Sequence, residues 1–207
     1  ALVEGAMVTF GRSGLEADLA HCEGVDKTDA VETAQFWRRS AQSGNREAMV
    51  RYATGAAFDM GSIVDLAGEL QMYKRDAIAI ARKAAAEGDG RAVIALASAY
   101  SPDSHIGAPP MLAQVTGVDV AQSLALFMYA DRSGIRPSDN AEEVDKFIRG
   151  RIDVVRAAAS PDQILWAEQQ AAELGRTWAA PRLPSGNQRA FLASAQYAPP
   201  VPETCDQ

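Results

Sequence analysis

Three glycines set a register on this chain: Gly44, Gly88 and Gly134 stand 44 and 46 residues apart, and each closes the same short pattern. Aligned on them, Phe36-Trp37, Ile80-Ala81 and Leu126-Phe127 occupy the same bulky positions, and Ser40, Ala84 and Ala130 fall together nearer the glycine. Beyond the first two glycines, Ala48 matches Ala92, and Tyr52-Ala53 matches Leu96-Ala97. A repeat of this length is one supersecondary unit that cannot bury its apolar face alone, so it must stack on its neighbours.

The pattern reads as helix. Thr33, Phe36, Trp37 and Ser40 share one face at helical spacing, as do Ala77, Ile80, Ala81 and Ala84. This predicts a buried stripe in which small residues let a second helix come close while the bulky pair, one turn earlier, fills the space between helices. The glycine is a left-handed stop, and the next residue, Asn45 or Asp89, is a good N-cap. Adjacent stop and start signals predict an antiparallel helix pair joined by a near-minimal turn. Further starts are marked by Asp29 before Glu32, Asp119 before Gln122, and Ser160-Pro161 before Gln163. The expected helices cover residues 30–43, 46–57, 75–87, 90–100, 120–133, 139–158 and 161–174, and no convincing strand competes with them.

Composition narrows the classes. In 207 residues, 47% apolar and 23% charged residues describe a globular chain, and 27 acidic against 20 basic residues give a net charge of -7. A nucleic-acid binder needs a cationic footprint, so that class is excluded. No apolar run is long enough to span a bilayer, so no transmembrane segment is expected.

The bulky pair, the two small residues, the glycine, and then alanine and leucine-alanine with Tyr100 resemble the Sel-one-like repeat, a relative of the tetratricopeptide repeat. Thr116-Gly117-Val118-Asp119 is similar to the entry of such a repeat. The resemblance covers residues 29–134 and is strongest from Ala77 to Tyr100; it departs after Tyr100, where a segment through His105, Pro109 and Pro110 replaces the usual glycine-rich link. It implies an all-α fold, an α/α solenoid that binds proteins, is often exported in bacteria, and has no active site of its own. The stacking argument points the same way: helix pairs near residues 29–58, 74–100 and 117–158, C-terminal capping helices, and an extended proline-rich tail over 181–207 packed on the same domain.

Candidate partner-binding residues follow from the face opposite the stripe. It presents Gln35, Arg38 and Gln42, then Ala79, Arg82 and Ala86, then Ala125, Met128 and Arg132. Arg38, Arg82 and Arg132 at equivalent points would form a basic ladder for carboxylates on a partner, against the plainer reading of a solvated helix face. The segment 101–116, with Met111 and Leu112, either carries binding or folds back over the groove between two repeats. Trp37 is expected in the core, and Trp166 and Trp178 are expected to pack the last helix on the body.

An enzyme would have to be a hydrolase using His21, Cys22 and His105, with Glu23 and Asp26 nearby. Adjacent residues on a helix do not face one another, and two histidines leave little for a general base or a metal site. Ser138-Asp139-Asn140 spells one penicillin-enzyme motif without its companions. No cofactor, metal or catalytic residue is therefore assigned.

Two cysteines, Cys22 and Cys205, stand near opposite ends. Paired, they close a loop of about 180 residues, which the chain-entropy model makes worth about 5 kcal/mol in an oxidising compartment; unpaired, they are two unrelated thiols. The tail holds five of the ten prolines and lies either extended, anchored by Phe191, Leu192 and Tyr197, or free. A chain that starts at Ala1 reads as processed, with an export signal removed. The combined expectation is a periplasmic or secreted bacterial protein that binds another protein, as regulator, adaptor or immunity-type inhibitor of a basic effector or toxin.

Overall fold

Each register glycine ends a helix in the same way. Gly44, Gly88 and Gly134 take φ of +93°, +88° and +62°, in the left-handed region. Their amides donate to Ala41, Ala85 and Asp131, while Asn45, Asp89 and Ile135 donate to Ser40, Ala84 and Ala130. This is the paired Schellman closure. The small residue of the pattern is thus the carbonyl that receives the longer bond. After the first two stops the chain restarts at once, with Asn45 Oδ1 accepting from the Ala48 amide and Asp89 Oδ1 from the Arg91 amide.

The computed structural model describes residues 29–105, 109–135 and 141–183, and the described residues from Ala30 onward belong to one compact unit. They form eight α-helices: α1 (Ala30–Gln42), α2 (Arg46–Thr54), α3 (Ala67–Ala86), α4 (Gly90–Ala99), α5 (Met111–Thr116), α6 (Val120–Ser133), α7 (Ala141–Ala157) and α8 (Pro161–Thr177). Short 3-10 turns occur at Met60–Ser62 and Pro102–His105. No strand forms among the described residues; Asp89 and Arg182 make one isolated parallel bridge. The fold is all-α, with neighbouring helices packed in order: α1 on α2, α2 on α3, α3 on α4, α4 on α6, and α6 on both α7 and α8.

The stripes of the second and third units are buried, through Ala77, Ile80, Ala81 and Ala84 and through Leu126, Phe127 and Ala130. The first unit differs. Phe36 is 59% exposed and Trp37 is half-buried, whereas Ala34 and Ala41 are the buried residues of α1. No described helix packs on the far side of α1, so its stripe narrows and leaves Phe36 out. Trp37 sits at the edge of the core, under the Arg51 guanidinium, 4.7 Å from its ring centroid, and edge-on to Phe36. Trp166 also departs from expectation, being 42% exposed. Trp178 packs as expected, its ring 5.6 Å from that of Tyr129 and perpendicular to it.

Element boundaries shift where capping signals fail. The third helix starts at Ala67, well before residue 75, because Leu66 and Tyr73 bury there although Leu66 makes no side-chain cap bond. Tyr73 packs with Tyr52 and Phe58 in a ring cluster and donates its hydroxyl to the Ala53 carbonyl at 2.7 Å. The second helix ends early at Gly55, whose φ of +87° reverses the chain.

The described part of segment 101–116 folds back over the stack. There α5 rests on α4, α3 and α2, with Leu112 and Ala113 buried. Thr116 Oγ1 donates to the Ala99 carbonyl at 3.0 Å, and the Asp119 amide to that of Tyr100 at 2.9 Å. Met111 lies against Gly55, where a Cβ would come within 2.6 Å of its sulfur. Of the two readings of this segment, groove cover describes α5.

After α8 the chain crosses to the α3–α4 turn. The Ala179 and Arg182 amides donate to the Ala86 and Gly88 carbonyls, and the Gly90 amide donates back to Arg182, each at 2.9 Å. This strap explains the burial of Gly88 and Gly90 and carries the start of the proline-rich tail. The anchors Phe191, Leu192 and Tyr197, the pair Cys22 and Cys205, and His21, Glu23 and Asp26 lie outside the described residues.

Candidate functional site

The arginines of the expected ladder sit on α1, α3 and α6, one on each, but all have partners inside the chain. Arg38 donates from Nε to Glu69 Oε2 at 2.9 Å and from Nη2 to Oε1 at 3.5 Å, with side chains only 18% and 9% exposed. That fork ties α1 to α3, so Arg38 is not offered to a partner's carboxylate. Gln42 donates to Asp76 at 3.3 Å, where Arg75 also binds; hydrogen bonding from Arg75 chiefly holds the Asp76 carboxyl below its ordinary range. Arg82 donates to the Tyr100 hydroxyl at 3.2 Å, and its side chain remains exposed.

Met128 and Leu112 are buried and present nothing to a partner. Met128 was expected on an outer face, but α6 is packed by α4, α7 and α8 and is apolar around most of its circumference. Met111 is half-buried beside Gly55.

Arg132 is the ladder residue that opens onto a concave site. Exposed at the end of α6, it donates from Nη1 to the Glu168 carbonyl of α8 at 3.3 Å. Beside it lies a pocket of about 430 Å³ whose walls include Tyr129, Ser133, Gly175 and Trp178. Tyr129 is buried and its hydroxyl donates to the Ala179 carbonyl at 3.0 Å, so the strap forms part of the frame. Burial raises the Tyr129 phenol above its ordinary value, keeping it a hydrogen-bond donor. The residues around Arg132 come from α6, α8 and the strap, and no local motif joins them; the sequence singles out Arg132 and the packing of Trp178, but not that the two share a pocket.

A second polar cluster, absent from the sequence reading, links the turn after α4 to α7. Arg151 grips both carboxylate oxygens of Asp103, with Nη2 at 2.6 Å from Oδ1, and reaches Ser101 Oγ at 2.8 Å. Buried Ser101 donates to Asp103 at 2.5 Å, and the Phe127 ring lies under the guanidinium at 5.7 Å. Arg151 is the main cause of an Asp103 pKa lowered to about 2, against an opposing contribution from burial. The serine hydroxyl faces a firmly ionised, saturated carboxylate, a tie between elements rather than an activated nucleophile. The side chain of His105 lies outside the described residues.

Among the described residues no group of three or more His, Cys, Asp or Glu side chains is placed to hold a metal, and no helix is long and apolar enough to cross a membrane. On α8 the packed face carries Ala167, Ala171 and Leu174; Leu165, 57% exposed, lies opposite it, and Trp166, 42% exposed, lies on the flank between them. Compared with known proteins, the chain matches no family model, no curated protein and no solved structure.

Proposed function

We propose that this chain is a protein-binding helical-repeat scaffold of the bacterial cell envelope, acting as a regulator, adaptor or immunity-type inhibitor of a partner protein. The observation that carries the reading is the exposed Leu165–Trp166 pair on α8. A tryptophan held on a packed helix with an aliphatic neighbour in the open supplies the large, rigid anchor that dominates protein interfaces. The Sel-one-like resemblance and the three equal helix closures support a stack of helix pairs, an architecture that recognises proteins by surface rather than by reaction. The placement in the envelope rests on the two cysteines near opposite ends, and the preference for a basic partner on the net charge of -7.

The test is capture from a bacterial envelope extract by the wild-type chain and by a Leu165→Ala/Trp166→Ala variant, with captured proteins identified by mass spectrometry. Both residues are exposed, so the variant should melt within about 0.5 kcal/mol of wild type. A protein retained by wild type and lost by the variant is the expected result. Equal retention by both would remove the α8 surface from the reading, and no retained protein would overturn the binding role.

A further inference from the structure

We propose that the pocket between α6, α8 and the strap binds a small aromatic carboxylate, with Arg132 taking the carboxylate and Trp178 the ring. The inference concerns a small ligand and does not depend on the Leu165–Trp166 surface.

In a chain of net charge -7 the described residues that line the pocket include one cation, Arg132, and no acidic side chain. The neighbouring Asp131 faces away, with its carboxylate 3.7 Å from Arg149 of α7. Arg132 donates from Nη1 to a backbone carbonyl, that of Glu168, which orients the guanidinium without neutralising it. A planar cation held in this way, with further N–H groups to offer, matches the two oxygens of a carboxylate. The Ser133 hydroxyl in the same wall is engaged with Tyr129, which leaves the guanidinium as the group that meets a carboxylate.

The remaining wall selects the rest of the ligand. Trp178 is half-buried and braced at right angles on Tyr129, so its ring is fixed. Ala171, Ala172 and Gly175 make the α8 side low and apolar, leaving room for a flat group against the indole. At about 430 Å³ the space lies within the range of small-molecule sites. The absence of a side chain at Gly175 is not demanded by packing: a Cβ there meets nothing within 4 Å, and its backbone is ordinary helix. A glycine at an interior helix position weakens the helix by about 0.5–1 kcal/mol relative to alanine. Here it keeps the pocket open.

The test follows Trp178 in the full chain labelled with 5-fluorotryptophan, its resonance assigned with Trp37→Phe and Trp166→Phe variants. Phenylacetate should move the Trp178 resonance saturably, and the uncharged phenylacetamide should bind at least about tenfold more weakly. Arg132→Gln should weaken phenylacetate by a similar factor. Gly175→Leu should abolish the saturable shift while leaving the melting temperature unchanged or higher, which separates pocket filling from unfolding. An N-acetylated dipeptide ending in phenylalanine, with free or amidated C-terminus, distinguishes the two sources of the chemistry. Tighter binding of its free-acid form than of phenylacetate assigns a chain terminus, and weaker binding assigns a free acid. A non-saturating shift, equal response to acid and amide, or undiminished binding in Arg132→Gln or Gly175→Leu would overturn the proposal.

Discussion

Arg38 and Asp103 show how single polar residues hold this stack, and each gives a measurable consequence. The Arg38–Glu69 fork is largely shielded from water, so removing one partner strands the other charge. Arg38→Ala should destabilise by about 2–3 kcal/mol in urea melts, while Arg38→Met combined with Glu69→Leu should recover most of that loss. Asp103 has a folded pKa depressed to about 2, so its contribution is complete above the ordinary carboxylate range and is lost as pH falls from about 4 through 2. Because the carboxylate is partly solvated, the contribution is about 1 kcal/mol. Stability measured against pH should fall across that window in wild type and stay flatter in Asp103→Asn. The fork takes Arg38 out of the expected arginine ladder. Glu69 lies in the part of α3 that has no side-chain capping signal, so the partner of Arg38 could not be seen from the repeat.

At the scale of elements, legibility followed the chemistry of helix ends. Helices bounded by a glycine stop, by Asn45, Asp89 or Asp119, or by the reciprocal Ser160–Gln163 box emerge close to their expected positions. The first turns of α3 and all of α5 begin at Leu66 and Pro110, which make no side-chain cap bond; burial alone sustains them, and burial is not local information. The same closure at two glycines should carry different penalties. Gly134 has open space where a Cβ would go, so Gly134→Ala should lose only the backbone strain of a left-handed alanine, about 1 kcal/mol. At Gly88 the added Cβ would also sit 2.9 Å from the Ala180 carbonyl oxygen, so Gly88→Ala should lose about 2–3 kcal/mol. Denaturant midpoints of the two variants check the ordering. Exposed Phe36 and Trp166 are unreadable for a related reason: periodicity marks an apolar face, but not whether another helix packs on that face.

Over the whole molecule, the strap sets this stack apart from a simple linear array. Helix pairs that touch only their neighbours lose order from an end, one unit at a time. Here the chain beyond α8 hydrogen-bonds to the α3–α4 turn, so the closing helices and the second pair are joined by a route other than through α4 and α6. Tyr129→Phe, which removes the hydroxyl bond to Ala179, should therefore weaken both the pocket frame and this joint, by about 1 kcal/mol in thermal melts. The pocket was beyond the reach of sequence for the same reason, since its walls meet only after the chain has doubled back.

The strap also sets an order of events in time. Its bonds join residues far apart in the chain, and closing so large a loop before the intervening helices exist would lose entropy with little return. The pairing of Gly90 and Arg182 is thus expected to form late in folding and to open early. The amides of Ala179 and Arg182 should exchange with solvent deuterium sooner than those in the middle of α6, a clock on the molecule's last act of assembly.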